Sequence, residues 1–342
     1  MREFIHPTVL TIVILAFTGL YGFVKFSHEN DFAIDDKAIV GLEKPTSIVS
    51  TTGYYNVEHP VVDYARPLIT YSYSESRVAR QNLAYFIEHG LHDGADFVFI
   101  LNGLTNAGTL IPEMTNVRVI PRSDPCSDLG AHGEILLKDE LWKKYIYFIM
   151  MDSNIRGPFM PYWSQGCWSD AFLNRLTKDV KLVGTAATCH PKFHIEPSLW
   201  ATDEIGMNIL LSPFLRPAKD SLSLHQRRLR NPISLCSNDG AKAGIAVSAL
   251  TSAGYSVDAL AAAYHITPNY AADCLLTSTS AASNLQPKQS ALHMQYYARN
   301  PHPYETIFIP ANSDVDVPAV NLLTEFFKPR GAGAQGSWAA CR

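Results

Sequence analysis

With 47% hydrophobic and only 18% charged residues, the 342-residue chain is too apolar to stay unfolded and long enough for one large core or two smaller ones. Its net charge of -4 creates no global basic field, which argues against nucleic acid as a partner. The one dense basic patch, Arg227, Arg228 and Arg230, is short and reads as a solvated loop.

In chain order the first element is an apolar span. From Pro7 to Val24 there is no charge, and Leu, Ile, Val and Phe dominate a stretch close to the ~20 residues that cross a bilayer. "FTGLYGFVKF" offers no clear small-x-small cleavage site, so an anchor is favoured over a cleaved secretion signal. Arg2 precedes the span while Glu29, Asp31, Asp35 and Asp36 follow it, against Lys25 and Lys37, which favours a cytoplasmic N-terminus and a luminal or external body. The expected organisation is an anchor over 1–25, a stem over 26–65, a catalytic-type domain over 66–329 and a loose tail over 330–342.

At Pro67 the texture changes to alternating strands and helices. "PLITYSY" reads as a buried strand, "SESRVARQNLAYFIEHG" as a helix that starts near Ser74 or Ser76 and stops at Gly90, and "DFVFILNG" as a second strand. Next come a strand at 116–120, a helix over 128–145, a strand over 145–151, a helix over 169–176 and a strand over 180–187. "ATDEIGMNILL" and "AKAGIAVSALTSAGY" read as helices, the second stopped by Gly254, while 267–300 resists assignment. Repeated β-α-β units predict an α/β fold with a mostly parallel, Rossmann-type sheet and flanking helices.

Six cysteines, Cys126, Cys167, Cys189, Cys236, Cys274 and Cys341, allow about fifteen full disulfide pairings, and the sequence does not choose among them. No Asn-x-Ser/Thr acceptor occurs.

In an open parallel sheet, ligands bind outside the carboxyl ends of the strands. Each predicted strand end carries polar groups: Ser72, Ser74 and Glu75; Asn102 and Asn106; Arg122, Ser123, Asp124 and Asp128; Asp152, Ser153 and Asn154; Thr185, Thr188, His190 and His194. Asp152 and Asn154 pair two oxygen ligands of the kind Mg²⁺ or Mn²⁺ takes together with substrate phosphates; the bland alternative is a capped turn. In "SDLGAHGE", Asp128 or Ser127 can cap a helix whose first-turn amides, near Gly130, suit an anion; an ordinary cap is the alternative. "CHPKFHIE" offers His190, His194 and Glu196 to zinc, but Pro191 sits badly in the helix that i, i+4 ligation needs. In an extended segment His194 and Glu196 share one face. Walker, Gly-x-Ser-x-Gly and Gly-x-Gly-x-x-Gly patterns are absent, which argues against the usual kinase, hydrolase and dehydrogenase classes. Trp163, Trp168 and Trp200 are candidate sugar-stacking aromatics, though core packing is the commoner fate of such residues.

Taken in order, "TYSYSES", "NLAYFIEHGL", "DFVFILNG", "SDLGAHGEIL", "DSNIRGPFMPYW", "LVGTAATCHPKFHIEPSLWATDEIGM", "LTSAGYSVDAL" and "NPHPYETIFI" resemble the rhamnan synthesis protein F type of glycosyltransferase, from about Pro67 to about Pro310. The resemblance implies a GT-A-like fold that transfers a sugar from a nucleotide-diphosphosugar donor to a glycan or glycoconjugate acceptor. A Golgi or other secretory-pathway membrane is the expected location.

Asp128, Gly130 and Ala131 match the family's Asp-x-Gly-Ala turn, Gly157 and Pro158 its Gly-Pro, and His194 and Ser198 its His-x-Gln-Ser region. Three departures stand out: Asp152 sits one position early, Glu196 replaces a Gln-like residue, and Ala243 stands where an acidic residue is expected. The implied roles are donor binding by Ser72, Asn102, Asp128, Gly130 and Ala131, a divalent cation held by Asp152 and Asn154, and chemistry by Glu196 or Asp203 with His194. A catalytically silent glycan-binding protein and, more distantly, a zinc hydrolase are the alternatives.

Overall fold

The computed structural model describes residues 66–123, 128–161, 163–189, 192–215, 239–265, 269–272, 301–311, 317–327 and 341. The expected membrane anchor and stem lie outside them. Among the described residues no helix is long and apolar enough to cross a membrane.

A seven-stranded sheet organises the body, flanked by helices on both faces, as the β-α-β alternation predicts. Its strands are β1 (Leu68–Ser74), β2 (Asp96–Asn102), β3 (Val117–Arg122), β4 (Tyr147–Asp152), β6 (Val180–Gly184), β9 (Leu199–Asp203) and β10 (Ser256–Ala259), in the order β10-β6-β9-β4-β1-β2-β3. All neighbours run parallel except at β9, which is antiparallel to both β4 and β6. Two short ribbons lie outside the sheet: β5 (Ile155–Arg156) with β11 (Ile309–Pro310), and β7 (Ala187–Thr188) with β8 (His194–Ile195). The longer helices are α1 (Arg77–His89), α2 (Asp128–Leu137), α4 (Glu204–Leu215), α5 (Asp239–Ser252) and α7 (Val317–Phe327); α3 (Asp170–Leu173) and α6 (Pro303–Thr306) are single turns.

Period-two alternation divides the sheet into two cores. Ile69, Tyr71, Tyr73, Phe97, Phe99, Ile149 and Met151 pack with Phe86 of α1 and with Trp168 on one face. Leu68, Val98, Ile100, Phe148, Met150 and Leu182 pack with Leu129 and Leu136 of α2 and with Leu210 of α4 on the other. Helix α1 begins as its sequence predicts, with Ser76 Oγ accepting from the Ala79 amide at 3.0 Å, and ends at Gly90.

Three expectations change. The helix predicted over 128–145 stops at Leu137 and passes into a 3-10 segment in which Asp139 and Glu140 both hold φ +52°, outside helical space. "ATDEIGMNILL" is not helical throughout: Ala201, Thr202 and Asp203 complete β9, and the helix starts at Glu204. Cys341, expected in a loose tail, is instead buried and bonded to Cys167.

Gly157 and Pro158, joined by a cis peptide, lead out of β5. A Cβ at Gly157 would stand 2.5 Å from the Ile307 carbonyl oxygen and 2.6 Å from the Phe308 ring, so this crossing needs glycine.

Candidate active site

The alternation that sorts the core also sorts the polar residues. Ser72 and Asp152 are register partners on neighbouring strands, with the parity of Leu68, Phe148 and Met150, so both belong to the α2 face. Asn102 shares parity with Ile100, and Arg122 is its register partner on β3. All four are strand-end residues of parallel strands, and they reach one rim because those strands share a direction.

There the side chains bond to one another. Ser72 Oγ donates to Asp128 Oδ1 at 2.7 Å and accepts from Asn102 Nδ2 at 2.9 Å. Arg122 Nη1 donates to Asn102 Oδ1 at 3.2 Å, and its Nε donates to Glu134 Oε2 at 2.8 Å. One chain of hydrogen bonds therefore runs from β1 through β2 and β3 to α2. Below it, His132 Nδ1 meets Thr70 Oγ1 at 2.8 Å, and burial pushes the imidazole down to about 3, leaving it neutral.

Asp152 closes a tight turn: its Oδ1 accepts from the Asn154 amide at 2.8 Å, and its own amide donates to the Ser198 carbonyl at 3.0 Å. Asn82, buried on the apolar face of α1, holds this turn from outside. Its Nδ2 donates to the Ser153 carbonyl at 2.9 Å while its Oδ1 accepts from Arg156 Nε at 2.9 Å. Arg156 reaches on to Thr324 of α7 and Gln81 of α1, and burial lowers its pKa. Asn82→Leu is expected to strand the Ser153 carbonyl and the Arg156 guanidinium, at a cost of roughly 2–4 kcal/mol in urea unfolding, because buried polar partners are left unmade.

The second half of the rim follows β6. Glu196 donates its amide to the Ala186 carbonyl at 2.9 Å, and Ile195 lies under Gly184, where any Cβ would collide with it. The Glu196 side chain is 9% exposed, its Oε1 has no hydrogen-bond partner, and burial pushes its carboxyl up to about 8. It lies two residues from Ser198, whose carbonyl holds the Asp152 turn. Three residues before Glu196 in the chain, Phe193 belongs to a set of half-buried aromatics packed against the α2-side core. Phe193 stacks on Tyr264 at 6.4 Å and 12°, and Tyr270 lies 5.5 Å from Tyr264, forming a shelf at the β10 end of the rim.

The structure thus brings together Ser72, Asn102, Asp128, Asp152 and Glu196 along one edge. Gly130 lies in the first turn of α2, but Ala131 is fully buried in the α2-side core, so its methyl group packs rather than facing a ligand. His194 is buried on β8, with Nδ1 2.8 Å from the Lys192 carbonyl; His190 lies outside the described residues.

Asp203 is not at this edge. It pairs in register with Tyr147, at the other end of β4 and about 17 Å from Asp152 at ~3.3 Å per residue. There it bonds Lys181 Nζ and accepts the Gly206 amide at 2.9 Å, as an ion-paired helix cap. The reversal of β9 explains the misplacement: a residue that follows an antiparallel strand leaves the sheet on the opposite side.

Ala243 is buried in the α2-side core, so α5 brings no carboxylate at that position. Trp168 and Trp200 are core residues whose indole N-H groups bond the Gly90 and Ile195 carbonyls, while Trp163 is exposed. The stacking of Phe193 on Tyr264 went unread because the two residues lie far apart in the chain, and the polar neighbours of Phe193 in "CHPKFHIE" drew the reading instead. Asn82 did leave a signal, an amide on an otherwise apolar helix stripe.

The sequence matches no known family model and no curated protein.

Proposed function

We propose that this chain is a nucleotide-sugar-dependent glycosyltransferase, anchored in a secretory-pathway membrane by its N-terminal apolar span, that works at the strand-end rim on a glycan or glycoconjugate acceptor. The observation that carries the reading is a buried carboxyl, Glu196, with an unpartnered oxygen, on the same edge as the hydrogen-bonded Ser72, Asn102 and Asp128. Inverting sugar transfer needs both halves. A polar cradle orients the nucleotide, and a desolvated carboxylate takes the proton of the attacking acceptor hydroxyl.

In this reading Asp128, fixed by Ser72, orients the ribose or donor sugar, and the first turn of α2 faces the diphosphate with its amide dipoles. Glu196 takes the acceptor proton, and Phe193 with Tyr264 offers the acceptor ring an apolar face. At the cation position Asp152 supplies one carboxylate, with Oδ1 already bonded to an amide, and Asn154 adjoins it. This donor set suits an Mg²⁺ or Mn²⁺ ion held chiefly by substrate phosphates; when bound, it would neutralise charge on the departing diphosphate.

The full chain is expected to bind or consume at least one donor in a panel of nucleotide sugars, with and without Mn²⁺. Asp152→Ala should cut turnover at least tenfold while the near-UV circular dichroism stays native. If no donor is bound or consumed under any condition, the enzyme reading fails.

One observation favours a second reading. The buried Ala243 leaves α5 without the acidic side chain that the family resemblance leads one to expect, as in a scaffold that binds glycan without turnover. Glycan binding with no donor uptake would mark that case.

A further inference from the structure

At the opposite edge of the sheet from the rim, three buried side chains stand together with no role in the proposed reaction. His92 lies in the turn before β2, Cys167 in the loop before α3, and Cys341 comes from the far end of the chain. The two cysteines form a disulfide, and His92 Nε2 lies 3.7 Å from Cys167 Sγ. The ligand atoms of all three are within 4.8 Å of one another, the only such group of three or more metal-ligating side chains among the described residues.

The imidazole is held in place. Its ring sits edge-on to Phe97 at 5.3 Å and to Trp168 at 6.0 Å. Its backbone carbonyl is fixed by Asn116 Nδ2 at 2.9 Å, and its Nδ1 is buried without a hydrogen-bond partner. Burial pushes the ring down to about 4, so it is neutral, the form that ligates metals.

The nitrogen–sulfur spacing already suits a metal site, and the sulfur–sulfur spacing would do so after reduction. With Zn–S of ~2.3 Å and Zn–N of ~2.0–2.1 Å, a tetrahedral ion separates sulfur from nitrogen by about 3.6 Å and sulfur from sulfur by about 3.8 Å. The observed 3.7 Å between His92 Nε2 and Cys167 Sγ already matches the first edge. The second edge is reached only when reduction breaks the S–S bond and lets the two sulfurs move apart. Ser169 Oγ, 3.2 Å from Cys167 Sγ, puts an oxygen beside the same sulfur, and it or a water completes four-coordination.

We propose that His92, Cys167 and Cys341 form a redox-gated zinc site: a disulfide when oxidised, and a one-nitrogen, two-sulfur ligand set for zinc once a dithiol has reduced it. The dithiol gives up two electrons and two protons and becomes a cyclic disulfide, and Cys167 and Cys341 become thiols. Zinc then displaces both thiol protons to solvent, and the neutral imidazole binds through its lone pair. Either way the chain near Cys341 stays fastened to the body.

The test uses the full chain, reduced with a dithiol, desalted without oxygen and treated with a thiol-alkylating reagent with and without zinc, with each cysteine followed by mass spectrometry. Zinc is expected to slow alkylation of Cys167 and Cys341 at least tenfold, leaving Cys126, Cys189, Cys236 and Cys274 as internal controls. His92→Ala should remove that protection. Reduced wild-type protein should also take up cobalt(II) with a thiolate-to-cobalt charge-transfer band that the oxidised protein lacks. Equal alkylation rates with and without zinc, retained protection in His92→Ala, or no cobalt band in the reduced chain would each overturn the proposal.

Discussion

Replacing Glu196 by Gln is expected to lower donor-dependent turnover by roughly 10²–10⁴-fold while making the protein more stable at pH 8 and above. Both effects have one cause. The carboxyl is buried with one oxygen unpartnered, and burial lifts it to about 8, far above its unfolded value. The native state therefore holds a proton that the unfolded chain releases. The stability this proton contributes is complete below about pH 4.5 and is lost as pH rises through about 8, a swing on the order of a few kcal/mol. Gln has the same shape and no charge to desolvate, so thermal melts of the variant should lose less stability than wild type between pH 5 and 8.5. In activity the sign reverses, because a general base works only when deprotonated. Wild-type kcat/KM should rise with pH towards a limb near 8, and the variant should lack that limb. Asp203→Asn is the contrasting control. Its carboxylate caps α4 and pairs with Lys181 at the other edge, so it should cost stability and leave the pH profile of activity in place. A variant at Glu196 with unchanged turnover would sink its assignment as the base.

The second large effect is expected at the Cys167–Cys341 disulfide, which spans 174 residues of sequence. In the chain-entropy picture, closing a loop of that length removes about 5 kcal/mol of freedom from the unfolded state at 25 °C. Cys167→Ser with Cys341→Ser should therefore lower the midpoint of thermal unfolding by roughly 10 °C or more in a metal-free buffer. Both sulfurs are buried beside Trp168, so the serine hydroxyls would also arrive in an apolar setting. A melt within about 2 °C of wild type would show that the unfolded chain is already compact around this pair.

Much of the sheet was legible because its parallel strands, covered on both faces, read as unbroken apolar runs, such as "LITYSY" and "DFVFILN", bounded by turn residues. The rim followed from that reading, since strand ends of one direction share an edge; this is how Ser72, Asn102, Asp128 and Asp152 could be grouped before any coordinate was known. What hid β9 was its context. "LWATD" is five buried residues without alternation and runs directly into "EIGMNILL", so its last residues pass for the first turn of a helix. With that stretch read as helix, nothing showed that Asp203 would stand at the edge of the sheet opposite Asp152. Glu196 was visible as a residue, but its burial and open oxygen arise from the tertiary packing of the segment that the Ala186 carbonyl ties to the end of β6, which the sequence does not reveal. The disulfide could not be read because one of its cysteines sits in a stretch, "GAGAQGSWAACR", with nothing to mark it as anchored.

The ribbon between β5 and β11 has a further consequence for how the molecule comes into being. The turn at Asp152 is tied at the Asn154 carbonyl by the Ala311 amide, and beside it Ile309 and Pro310 pair with Arg156 and Ile155. Every strand of the main sheet lies before residue 260 and is synthesised before residue 311 is made. Synthesis from the N-terminus thus lays down the scaffold first, this fastening later and the Cys167–Cys341 bond later still, a built-in delay between making the sheet and tying the turn at its rim.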